Sequence, residues 1–373
     1  MTGTRASWFQ RYLLPGFAFK AVVIGGGYAT GRELAEFFLG SGPWGGLAGM
    51  LLAMVAWSAI CALTFAFAHA AQAYDYRAFF RALLGRFWWV FEVAYLLFVV
   101  LILAVFGAAA GEIGKAMLGW PVIAGAVLLA GSIVAVVAFG NAAVEALFKY
   151  VSILLYAVYA LFIVLALASF GNGIGEGFAQ PAPSTGWAIG GLTYASYNVV
   201  GAVVILPVIR HLSSRREAVT AGLIAGPLAM LPALLFFVAM VAFYPGIEAE
   251  TLPSDFILRQ LGAPWFHVTF QAMIFAALLE SSVGSVHAIN ERIEGVLRER
   301  RGIGLSHGAR AAVATVLLIG CIFVAERIGL VALIGSGYRS LAYLILAVFI
   351  LPLIVWGLPK LLRGSPLTTG ASG

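Results

Sequence analysis

The sequence predicts an all-α polytopic membrane protein: about ten transmembrane helices in two inverted halves of five, with the first and sixth helices broken at mid-membrane. Three observations lead there. The 373 residues are 62% hydrophobic and only 10% charged, with a mean hydropathy of +1.00, whereas soluble chains are about a quarter charged. The basic residues alternate from loop to loop. A short, small and polar tyrosine-containing stretch recurs in the first and sixth apolar runs, five runs apart.

Apolar runs long enough to cross ~30 Å of hydrocarbon fall at 12–39, 44–68, 87–117, 121–139, 142–170, 187–210, 217–244, 264–297, 306–325 and 338–357. Arg5, Arg11, Arg77, Arg81, Arg86, Arg210, Arg215, Arg216, Arg292, Arg298, Arg300, Arg301, Arg310, Lys360 and Arg363 fall on one side of these runs. Only Lys115, Arg259, Arg327 and Arg339 fall on the other. Cytoplasmic loops collect Lys and Arg, so both termini are expected in the cytoplasm, and the acidic loop with Glu248, Glu250 and Asp255 outside. The same rule accounts for the net charge of +6 without any nucleic-acid partner. A segment from Ile328 to Ser336 is expected to lie along the outer surface before the last span. No short apolar region with a small-residue cleavage site opens the chain, so the first span is expected to stay in the mature protein. Cys61 and Cys321 both lie in apolar runs and define neither a disulfide frame nor a metal site. Residues 1–373 are therefore expected to form one transmembrane domain, with repeats at 12–170 and 187–357.

The first span is interrupted by Gly25, Gly26, Gly27, Tyr28, Ala29, Thr30 and Gly31. Each glycine inside a helix costs ~1 kcal/mol relative to alanine. Thr30 and Glu33 stand in capping-box spacing, which predicts a new helix start at Gly31. The first N–H groups of that helix lack partners within it. In hydrocarbon this is tolerated where the backbone lines a cavity or meets a ligand, and a helix start favours an anion. Gly27 and Gly31 also have the spacing of a close helix–helix contact. Lys20 precedes the break; its bland role is to reach for the interface. Arg32 and Glu36 follow it at i,i+4 pairing distance.

The sixth span carries Tyr194, Ser196, Tyr197 and Asn198 in Thr-Tyr-Ala-Ser-Tyr-Asn, residues 193–198. Because an odd number of spans separates the two breaks, the second enters the membrane from the opposite side. Interrupted segments at matching positions of inverted halves point to a transporter site at the midplane. Three stretches resemble a known family: GGGYATGRELAEFF (25–38), LTYASYNVVGAVVILP (192–207) and LLESSVGSVHAINERI (278–293). They are similar to the first, sixth and eighth helices of the YkvI-type bacterial membrane proteins, relatives of the amino acid–polyamine–organocation transporters. The resemblance implies the five-plus-five LeuT fold, a bacterial cytoplasmic membrane and, in that fold, a sodium site framed by the eighth helix and the first break. The chain departs from the family pattern at Tyr28, Thr30 and Arg32.

Ionisable groups within the bilayer are costly and mark function. Glu280 lies near the middle of the eighth span, with Gly284, His287 and Glu291 on the same helical face. Glu280 with His287 is a candidate proton-coupling element. Ser281, Ser282 and Ser285 can instead hold Na⁺ through their hydroxyls, or simply bond between helices. Tyr28, Tyr194, Tyr197 and Tyr95 are aromatics that either seal a pocket or pack. No H-E-x-x-H, P-loop or CxxC pair is present, and the only aspartates are Asp75 and Asp255. The expected function is secondary active transport of a small organic solute, an amino acid or related zwitterion, coupled to H⁺ or Na⁺ with no other cofactor. The new helix starts after Thr30 and near Asn198 would take its anionic group. A channel is the alternative, and a membrane-embedded enzyme stands behind it.

Overall fold

Long apolar stretches in a solvent without water must satisfy every backbone group internally, which leaves helices as the element for this composition. The computed structural model describes residues 7–24, 26–139, 141–302 and 304–363, and all its regular elements are helical. A short helix, α1 (Trp8–Tyr12), opens it and is closed by a capping box between Ser7 and Gln10. The first expected span comes in three pieces: α2 (Leu14–Val23), α3 (Gly26–Ala29) and α4 (Arg32–Phe37). Then follow α5 (Gly42–Ala71), a short amphipathic α6 (Tyr76–Leu84) capped by Asp75, α7 (Trp89–Leu118), α8 (Val122–Phe139) and α9 (Asn141–Ala179). The second half has α10 (Trp187–Asn198), α11 (Val200–Val204), α12 (Arg215–Val241), a short α13 (Pro253–Leu261), α14 (Pro264–Arg301) and α15 (His307–Ile328). The last span runs from Leu330 to Leu362 and contains π-helical turns at Leu333–Gly337, Leu346–Ile350 and Leu353–Gly357. By length and composition, 7 helices among the described residues are able to cross a membrane unaided. The first, fourth and sixth expected spans are shorter or divided.

Two boundaries differ from the sequence reading. The segment from Leu330 to Ser336 is not a separate surface element but the beginning of the last span. Leu330, Leu333 and Ile334 are buried there, and Gly335 packs against the Glu36 carboxylate. The fifth span continues beyond residue 170 to Ala179, past a kink at Phe170.

Small residues set how closely the spans approach. On α12, a Cβ added to Gly222 would lie 2.3 Å from the Ala62 backbone, and one on Gly226 would lie 2.4 Å from the Met54 carbonyl. These glycines let α12 lie directly against α5, the small-residue packing that membrane helices use where lipid gives no hydrophobic drive.

Polar contacts gather at two ends. At the end carrying the N-terminus, Arg11 pairs with Glu217 at 3.1 Å, Lys360 donates to the Ala82 carbonyl at 3.1 Å, and Arg215 donates to the Leu361 carbonyl at 3.3 Å. At the other end, Arg32, Glu36, Arg259, Asp255 and Arg339 associate. Residues assigned by loop charge to one side thus meet one another.

Candidate functional site

The helix α2 stops at Ile24, whose ψ of 80° leaves the helical region. One turn, α3, intervenes, and Gly31 then turns the chain with φ +78°. A side chain in that left-handed conformation is strained, and a Cβ on Gly31 would also lie 2.6 Å from a ring carbon of Phe236. The Thr30 carbonyl accepts the N–H of Ser254 at 3.0 Å, so the start of α13 is stitched to the break. Gly25 lies outside the described residues, and Gly26 and Gly27 form the first half of α3.

The expected capping box does not form. Gly31, not Thr30, occupies the N-cap, and Thr30 Oγ1 accepts from the Arg32 N–H at 3.4 Å. The register moves by one residue, which frees the Glu33 carboxylate from its own helix. It accepts instead from the Tyr197 hydroxyl of α10 at 2.7 Å.

The sixth span is less broken than expected. Val199 keeps right-handed helical dihedrals of φ −64° and ψ −11°, so 195–199 are not unwound and no free helix start arises at Asn198. The physical reason is local. No glycine lies between Leu192 and Val200, and the polar side chains bond backward into their own helix. Ser196 Oγ donates to the Leu192 carbonyl at 2.7 Å and Asn198 Nδ2 to the Tyr194 carbonyl at 3.0 Å. The two tyrosines, not these polar residues, reach across to the first span.

Around Glu33 the structure gathers an aromatic, hydroxyl-rich centre. Glu33 is 4% exposed, and Tyr28 and Tyr194 are both fully buried at 0%. The rings of Tyr197 and Tyr338 lie 4.6 Å apart, those of Trp57 and Tyr194 5.4 Å, and those of Tyr28 and Tyr159 6.5 Å. The Tyr194 hydroxyl has no hydrogen-bond partner among the described residues, while the Tyr28 hydroxyl faces that of Tyr159. A buried polar group left unpaired costs about 1–3 kcal/mol. Sequence reasoning missed Tyr159, Tyr338 and Trp57. They come from α9, the last span and α5, and no local pattern distinguishes them from packing aromatics.

A second polar locus lies on the other side of the break. Lys20, Ile24, Tyr156 and Glu280 line a cleft of about 30 Å³, which adjoins a cavity of about 330 Å³ between α2, α9 and α12. The Lys20 ammonium, itself buried, sits 3.8 Å from the centre of the exposed Tyr156 ring, a cation–π contact. Of the serines on α14, Ser285 Oγ bonds back to the Ser281 carbonyl at 2.9 Å, while the Ser282 hydroxyl is buried without a partner among the described residues. His287 is half-buried. Glu291, eleven residues and ~16 Å along the helix from Glu280, pairs with Arg310 at 2.9 Å. The face shared by Glu280, His287 and Glu291 therefore serves two separate places.

A third locus opens toward the N-terminal end: a cavity of about 360 Å³ lined by residues including Tyr76, Arg77, Tyr95, Glu291 and Arg292. The rings of Tyr76 and Tyr95 are nearly parallel, 13° apart, and the Arg292 guanidinium lies 4.1 Å and 3.9 Å from their centres. Glu92 stands 3.5 Å from Arg292 and accepts from Tyr76 at 3.1 Å. At the opposite end the buried Arg32 reaches the Glu248 and Glu250 carbonyls at 3.0 Å and 2.9 Å, and Glu36 at 3.1 Å.

A helical protein with a discontinuous first span and a polar centre beside it has the architecture of the LeuT fold. Solved structures share this fold over most of the chain. MhsT in complex with L-phenylalanine matches with a TM-score of 0.60 at 19% identity, covering 98% of this chain and 93% of that one. Mhp1, a nucleobase-cation-symport-1 family transporter closed with bromovinylhydantoin bound, matches with a TM-score of 0.55 at 15% identity, covering 95% and 79%. In sequence, the chain is similar to the uncharacterized membrane protein YkvI of Bacillus subtilis (strain 168), 23% identical over 344 residues, which are 89% of this chain and 92% of that protein. The resemblance carried by the three motifs thus extends along almost the full length. No family model matches the chain.

Proposed function

We propose that this protein is a secondary active transporter of a small organic solute, an amino acid or related zwitterion, driven by H⁺ or Na⁺. It works by alternating access in a bacterial cytoplasmic membrane, with both termini inside. The observation that carries this reading is the 2.7 Å bond from Tyr197 to Glu33. It ties the second half of a broken first span to the sixth, in a buried centre that also holds the unpaired Tyr194 hydroxyl. MhsT and Mhp1 hold organic ligands in their own structures, which supports a solute of that size here. With the termini inside, the Arg32 network closes the outer end and the cavity at Arg292 faces the cytoplasm.

The cleft shared by Lys20 and Glu280 beside Ile24 supports it as the seat of the coupling ion. Reconstituted protein is expected to show saturable uptake, counterflow and accumulation against a gradient; simple equilibration would refute active transport and indicate a channel. Glu280→Gln tests the coupling, because the amide mimics a protonated acid. Exchange should persist while accumulation on a pH gradient is lost. Accumulation on a pH gradient by this variant would remove Glu280 as the proton carrier. Accumulation on a sodium gradient alone would move the coupling site to Ser281, Ser282 and Ser285.

A further inference from the structure

The charges around the central site do not balance within the protein. Arg32 is next to Glu33 in sequence, yet its guanidinium is engaged by Glu36 and by the Glu248 and Glu250 carbonyls. Lys20 lies over Tyr156, on the far side of the break. The groups that face Glu33 are phenols: Tyr28 from α3, Tyr194 and Tyr197 from α10, and Tyr338 from the last span. Among the described residues, Glu33 forms no ion pair, and its only hydrogen bond is the one from Tyr197. An ionised carboxylate buried in this way, without a cation, carries a large desolvation penalty. Glu33 lies in the first turn of α4, whose partial positive charge offsets only part of this penalty, so full neutralisation takes a cation or a proton.

We infer that Glu33 binds the protonated amino group of the transported solute and that, when the site is empty, a proton takes its place. This rests on the central site being the solute site. The chemistry of the surroundings selects the ligand. Carboxylate and hydroxyl oxygens accept hydrogen bonds, and an ammonium group offers three. The tyrosine rings present π faces that also favour a cation. A solute carboxylate next to Glu33 would meet a like charge, and a neutral solute would leave the carboxylate uncompensated. Binding is then an exchange: Glu33–COOH and R–NH₃⁺ give Glu33–COO⁻ paired with R–NH₃⁺, and one proton leaves to the open side. The O–H bond of the acid breaks, its electron pair stays on the carboxylate, and no electrons are transferred. Amine moving one way through this site is matched by a proton moving the other, separately from any ion held at Glu280.

The test uses purified full-length protein and two matched trios of probes. One is phenethylamine, L-phenylalanine and 3-phenylpropionate; the other is isoamylamine, L-leucine and 4-methylpentanoate. Binding is read by thermal shift and by calorimetry in buffers of different ionisation enthalpy. Amine-bearing members of at least one trio are expected to bind with release of one proton. Their affinity should fall tenfold per pH unit where Glu33 is protonated. Glu33→Gln can keep a hydrogen bond with Tyr197, and its Tm in the absence of probe checks that it folds. It should weaken amine binding by about 100-fold and abolish both the proton release and the pH dependence. Glu33→Asp should restore part of each. Wild-type amine affinity in Glu33→Gln, equal binding of the acid members, or no binding by any amine of either trio overturns the assignment. An amine that binds with proton release but shows no counterflow in proteoliposomes refutes the transport reading and leaves the amine site standing.

Discussion

The substitution Gly31→Ala tests whether the break in the first span is built into the backbone. It adds one carbon, and the structure gives two separate costs. The φ of +78° places an L side chain in the left-handed region, at ~1–2 kcal/mol. The new Cβ would lie 2.6 Å from Phe236 Cε1 and 3.1 Å from Pro253 Cβ, an overpacking that costs a further ~1–3 kcal/mol. Together these come to ~2–5 kcal/mol, or a fall of ~4–10 °C in Tm at ~2 °C per kcal/mol. Valine adds two more carbons at the same point and should lower the yield of folded protein as well as transport. The assay is thermal denaturation of the detergent-purified protein beside uptake in proteoliposomes. A second variant separates the costs: Phe236→Leu with Gly31→Ala removes the ring and should recover the packing part while the dihedral part remains. If Gly31→Ala keeps wild-type Tm and uptake, the left-handed turn is not what sets the start of the second half of the span, and the reasoning fails.

Two other substitutions probe the ends of the molecule. Arg32→Lys leaves one compact ammonium where a fork served the Glu248 and Glu250 carbonyls and Glu36. Uptake should drop about tenfold and the loop at 246–262 should become more sensitive to protease; unchanged protection would show that the fork does not hold the outer closure. Tyr95→Leu removes one of the two rings around Arg292 and should cost ~1–2 kcal/mol in thermal stability, whereas Tyr95→Phe, which keeps the ring face, should stay near wild type. Equal loss in the two variants would locate the effect in the hydroxyl instead.

The sequence by itself determined the class of molecule. Apolar runs of bilayer length, and glycines where a helix is weakest, are local properties, and their energy does not depend on what packs beside them. That is why the divided first span and the helix restarting after Gly31 were legible. Tertiary structure decided what the local pattern left degenerate. Thr-Tyr-Ala-Ser-Tyr-Asn can break a helix or continue it, and here Ser196 and Asn198 bond back into α10. Thr30 and Glu33 fit a capping box, but taking Gly31 as the N-cap turns Glu33 toward Tyr197. Glu280 and Glu291 share a face by periodicity, yet their partners, the cleft beside Lys20 and the guanidinium of Arg310, lie on different neighbours. The tyrosines from α9 and the last span join the site only because five separate segments converge there. A carboxyl's role depends on the charges around it, and those come from residues far apart in the chain.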